Sequence, residues 1–141
     1  MNVAEFRQSV KSSFNALLQL DLTAYDRVVS FESLEPSESF RKAALKQNPF
    51  YEEIYRTGLK ERSYNFTLED NSFFQFWHDQ KHSPRKLRYA YYPNPFDVAE
   101  LPISDEDVAY AGAAIEHYTQ ALDEAPVRIS MPAVRYDLSL D

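Results

Sequence analysis

Residues 64–96 constrain the fold of this chain most. They hold ten of its 21 aromatic residues, its single Trp and two of its three His. Within them Tyr64, Phe66 and Leu68 alternate with Asn65, Thr67 and Glu69, the period-two pattern of a half-buried strand. Residues 73–78 form a second such run, and residues 87–92 a third that Pro93-Asn94-Pro95 ends. Strands that follow one another this closely pair antiparallel. The first turn decides which side chains share a face. A two-residue loop at Asp70-Asn71 would set Phe73, Gln75 and Trp77 beside Tyr64, Phe66 and Leu68. A three-residue loop, Asp70 to Ser72, would set Phe74 and Phe76 there. The longer loop is favoured, because it gathers five apolar side chains and no Gln. Phe73 and Trp77 then face the other way, under a helix or exposed.

Helical patterns flank this centre. Val3, Phe6, Val10, Phe14 and Leu17 recur every three or four residues, predicting a helix over 3–18. Residues 25–34 read as a strand, β-branched at Val28-Val29 and broken by Glu35-Pro36-Ser37. A second helical region runs over 37–60 and is interrupted at Pro49, with Asn48 as a cap for its second half. Phe50, Ile54, Tyr51 and Tyr55 are expected to face inward there, and Gly58 sits where a C-terminal cap is wanted. A last helix is read over 104–125, capped by Ser104, with Asp105, Glu106 and Asp107 in its first turn and Val108, Ala111, Ile115, Tyr118 and Leu122 along one stripe. Residues 127–140 return as one or two short strands, weakened at Pro132. The order predicts an α+β domain: an antiparallel sheet of four to six strands with helices packed mainly on one face. Its 141 residues make one domain, 1–141, and can bury roughly two-thirds of the surface the unfolded chain exposes.

With no Cys, disulfide frameworks, thiolate nucleophiles and Cys-based zinc sites are excluded. The opening residues are charged and amphipathic without an apolar signal core, and no stretch approaches the roughly 20 apolar residues that span a bilayer. The expectation is a soluble cytoplasmic protein with no membrane partner. A net charge of −7 opposes broad nucleic-acid binding. The charge is uneven: residues 89–127 hold eight acids and no Lys or Arg, while residues 81–88 hold four bases and no acid. Such polarity steers a partner or simply solvates a surface.

The chemistry is sparse. No phosphate-binding glycine loop and no G-x-S-x-G elbow occur. His78 and His82 stand four apart with Asp79 beside the first, a zinc spacing on a helix but not at the end of a strand running into Ser83-Pro84. No metal and no cofactor is expected. Lys81, Arg85, Lys86 and Arg88, with Trp77, Tyr89, Tyr91 and Tyr92, form a basic-aromatic cluster of the kind that holds single strands, or a hairpin with charges guarding a sticky strand. Tyr92-Pro93-Asn94-Pro95-Phe96 is a stiff extended segment that suits a docking edge or a rigid loop exit.

The runs Asp70-Asn71-Ser72-Phe73-Phe74-Gln75-Phe76, Leu87-Arg88-Tyr89-Ala90-Tyr91-Tyr92-Pro93-Asn94-Pro95 and Val134-Arg135-Tyr136-Asp137 resemble the signature of an uncharacterised bacterial family known only as a domain of unknown function. The resemblance implies a bacterial or phage-borne protein in a mobile or genome-defence setting. It transfers no catalytic residue.

Two functions are carried forward. In the first, the chain is a non-catalytic interaction module or regulatory subunit of a larger protein, binding through Trp77, Lys81, Arg85, Lys86, Arg88, Tyr92 and Phe96, with Trp77, Tyr92 and Phe96 forming an exposed apolar patch. The alternative is a toxin-like, nucleic-acid-processing enzyme in which His78, Asp79, His82 and Arg88 converge on a phosphate.

Overall fold

A computed structural model describes residues 1–46, 50–81, 85–96 and 133–139. Helix α1 spans Val3–Gln19. Asn2 and Glu5 cap its start reciprocally, Oδ1 of Asn2 accepting from the Glu5 amide at 2.8 Å and Oε2 of Glu5 from the Asn2 amide at 2.9 Å. Its other end closes in a Schellman turn. Asp21 takes φ 58°, and the Leu22 amide returns to the Leu17 carbonyl at 3.1 Å. The predicted stripe is its inner face, with Phe6, Val10 and Phe14 fully buried.

Residues 25–34, read above as a strand, are not one. Tyr25–Arg27 is a single 3-10 turn, and Val28 makes one isolated bridge to Phe66. The cause is Asn65, which is fully buried. Its carbonyl accepts the amides of Val29 and Ser30, and its Nδ2 donates to the carbonyls of Ser30 and Glu32 at 3.0 and 2.8 Å. A side chain thus takes the place of a strand ladder. Arg27 and Thr23 fasten the same segment to the next strand, through the Leu68 carbonyl at 2.7 Å and the Thr67 carbonyl at 2.8 Å.

Helices α2 (Glu38–Leu45) and α3 (Tyr51–Lys60) follow, α2 capped by the Ser37 hydroxyl. Asn48 and Pro49 lie outside the described residues; α3 starts at Tyr51, with Phe50 at its N-cap and two-thirds exposed rather than inward. Gly58 is not the cap. It lies inside α3, and the left-handed residue that closes the helix is Arg62, φ 48°. Gly58 is there for space: a Cβ would collide with Cζ of Phe73 and come within 3.1 Å of Cε2 of Phe40.

Strands β1 (Phe66–Thr67), β2 (Phe73–Asp79), β3 (Lys86–Tyr92) and β4 (Val134–Ser139) form one antiparallel sheet in that order. The chain is an α+β protein. The first hairpin has the favoured side-chain parity, Phe66 opposite Phe74, although its three-residue loop is Glu69-Asp70-Asn71. Asn71 takes the left-handed position, φ 63°, of such loops. Tyr64 leaves the set, because the Asn65 clamp turns the chain before it.

Helices pack on both faces of the sheet, over β1 to β3, and leave β4 exposed. Helices α2 and α3 share one, where Phe40, Tyr55 and Leu59 pack on Phe73, Ala90 and Tyr92. Helix α1 takes the other, its Phe6, Val10 and Phe14 against Phe66, Phe76 and Leu87. The expected 104–125 helix and Pro132 fall outside the described residues; of the expected C-terminal strands, β4 is described. No helix among the described residues is long and apolar enough to cross a membrane.

Candidate functional site

Alternation along β2 sorts the candidate residues before any other factor acts, since neighbours on a strand point to opposite faces. Phe73, Gln75, Trp77 and Asp79 face α2 and α3, while Phe74, Phe76 and His78 face α1. Trp77 pairs across the ladder with Arg88, and Arg88 with Asp137, so three strands contribute one straight row. The Arg88 guanidinium lies 5.2 Å from the Trp77 ring centroid, and its Nε reaches Oδ1 of Asp137 at 2.8 Å. Oδ2 of Asp137 takes a second cation, Nε of Arg135, at 3.0 Å. Helices α2 and α3 cover the sheet only as far as Gln75 and Ala90. Beyond them no described helix covers the row, and Trp77, Lys86, Arg88, Asp137 and Leu138 line a shallow cavity of about 200 Å³. Lys81, Arg85 and Lys86 are exposed at the adjoining strand ends.

The expected apolar patch is not assembled. Trp77 is half-buried at this ledge, but Tyr92 and Phe96 are core, 4 % and 3 % exposed. Tyr92 stacks on Phe73 at 4.8 Å, and Phe96 packs on Tyr55 at 6.0 Å beneath the Arg56 guanidinium. The proline segment is a loop exit fastened inward: the Asn94 amide donates to Oγ of Ser72 at 3.0 Å and its Nδ2 to the Asp70 carbonyl at 2.8 Å. Burial raises the Tyr92 phenol above its ordinary range. The signal that could have found this is register: once Phe74 and Phe76 are assigned to one face, Tyr92, opposite Phe73, belongs to the other with Ala90.

The hydrolytic constellation is divided as well. His78 is 5 % exposed and stacks on Phe6 with ring centroids 5.6 Å apart. Its Nδ1 meets Nε2 of Gln80 at 3.1 Å, and its Nε2 is buried with no hydrogen-bond partner among the described residues. Burial chiefly, then the N-terminal ammonium and Arg85, pull its proton affinity below the ordinary histidine value, against Asp79. Asp79 and Arg88 lie on the opposite face of the sheet, and Asp79 accepts the Lys81 amide at 3.0 Å. His82 lies outside the described residues. Among the described residues no three His, Asp or Glu gather as a metal would need.

A family described as an uncharacterized conserved protein, DUF2290, matches residues 16–141. The chain belongs to that family. The match begins within α1 and takes in the clamp at Asn65, the whole sheet and the ledge. No curated protein and no solved structure matches the chain.

Proposed function

We propose that this DUF2290 protein is a non-catalytic interaction module that binds a larger protein through the Trp77–Arg88–Asp137 ledge. The observation that carries the reading is the shallow cavity of about 200 Å³ beyond the part of the sheet face that α2 and α3 cover, with the chain's single Trp in its lining. Trp and Arg are the side chains that most often anchor protein interfaces, and here they are already stacked, so little order is lost on docking. Around them Lys81, Arg85 and Lys86 make a basic rim on a chain of net charge −7. A partner segment that is acidic, with an apolar side chain to cover the indole, fits that combination. We place the module in the cytoplasm on its charged, cysteine-free composition, and in a bacterial or phage genome-defence setting on the family resemblance alone. The alternative of nucleic-acid processing draws no support from His78, which faces away from Arg88.

The test is affinity capture from the native host, with nuclease-treated and untreated lysates in parallel, using the wild type and Trp77→Ala. The reading expects a stoichiometric protein partner that survives nuclease and is lost with Trp77→Ala while the fold persists. Recovery of nucleic acid without protein would overturn it.

A further inference from the structure

The two edges of the sheet are treated differently. The β1 edge is sealed by residues 22–34, through the Asn65 clamp and the Thr23 and Arg27 bonds to β1. The β4 edge has no neighbouring strand among the described residues. Of the devices that blunt an edge, β4 carries only two charges, Arg135 and Asp137, both on one side. Its ladder with β3 runs without a bulge, and its six residues include no proline and no lysine. On the α1 side it shows a continuous apolar row, with Val134, Tyr136 and Leu138 at 53, 66 and 50 % exposed.

Its opposite side carries Arg135 and Asp137, and these choose the occupant. Two copies of β4 pairing antiparallel about a two-fold axis normal to the sheet must bring residues of the same face together. Near the strand's middle that leaves three registers. Centring on Arg135 sets the two Arg135 side chains against each other, and centring on Asp137 does the same with two carboxylates. Both are penalised, as like charges directly opposite are. Centring on Tyr136 sets Arg135 opposite Asp137 twice, Val134 opposite Leu138 twice, and Tyr136 against its own copy. Every pair then matches in charge or in apolarity. We propose that the partner of the β4 edge is a second copy of this chain, joined in this Tyr136-centred register into one eight-stranded sheet. The pairing rests on the edge and its charges, and stands whether or not the Trp77 ledge binds a partner. It would add the second copy's Arg135 to the Asp137 end of that ledge.

Sedimentation equilibrium on the full chain tests it with a charge swap. The wild type is expected at twice the 16.4 kDa chain mass. Arg135→Asp alone and Asp137→Arg alone each place like charges opposite at two symmetric positions, and each weakens self-association at least about tenfold. Mixed in equal amounts, the two variants have complementary strands and recover the dimer as a heterodimer. Circular dichroism confirms that each variant is folded. Asp137→Arg also breaks the bond to Arg88, and if it fails to fold, the exposed Arg135→Asp decides on its own. A monomeric wild type, an Arg135→Asp variant that dimerises as the wild type does, or two folded variants that do not combine would overturn the proposal.

Discussion

Arg88 lies over Trp77 with its guanidinium carbon 5.2 Å from the ring centroid, at the point where the sheet emerges from beneath α2 and α3. Such a stack at a partly exposed site contributes about 0.5–1 kcal/mol. Trp77→Ala should therefore lower stability modestly, by about 1–2 kcal/mol with the lost packing included. Tyr92→Ala empties a core position between Phe73 and Phe40, and should lose about 3–5 kcal/mol. Denaturant midpoints compare the two, and equal losses would mean that Trp77 is a core residue.

Gly58→Ala tests the reason for the glycine. Alanine is worth about 1 kcal/mol more than glycine in a helix interior, so an open site would be stabilised. Here the new methyl meets the Phe73 ring, itself fully buried, and overpacking of that kind costs about 1–3 kcal/mol. We expect net destabilisation in thermal or chemical melts. A variant as stable as the wild type would show that the ring can retreat.

Asn65→Ala removes the acceptor of the Phe76 amide, 2.8 Å away, and the donor to two carbonyls. At about 1 kcal/mol per bond, the loss is about 3 kcal/mol. Hydrogen exchange should show it locally: the amides of Val29 and Ser30 lose protection before those shared by β2 and β3. Uniform loss along the sheet would contradict the clamp.

What the sequence shows of this fold is what hydrophobic period can carry. The α1 stripe and the split of Phe74 and Phe76 from Phe73 and Trp77 follow from apolar spacing alone. Asn65 does not, because a polar residue in an alternating run reads as solvent-facing and its five hydrogen-bond partners are set by distant chain. Gly58 resembles a cap for the same reason: its function is a contact with Phe73, which no local pattern encodes. At the site, the basic rim and Trp77 were legible as composition. The separation of His78 from Arg88 was also present in strand alternation, whereas the burial of Phe96 depended on how the proline loop returns to Tyr55.

His78 gives a pH dependence with a definite sign. Burial lowers its proton affinity below the ordinary value of 6.5, so the unfolded chain takes up the proton first. Its contribution is complete above pH 6.5 and is lost as pH falls from there through the folded-state value. His78→Phe keeps the contact with Phe6 but cannot titrate. Its stability should fall less than the wild type's just below pH 6.5, before the carboxylates begin to protonate. Parallel stability curves for the two would refute the assignment.

The most direct measurement on the interaction surface uses the fact that the single Trp lies in it. Tryptophan emission should be followed while the wild-type chain is titrated with the partner that it captures, with calorimetry reporting binding independently. If the ledge is where the partner docks, the emission of Trp77 shifts to the blue and saturates together with the calorimetric signal, and Lys86→Glu weakens both. Saturable binding by calorimetry with unchanged emission would place the partner elsewhere on the molecule and contradict the account.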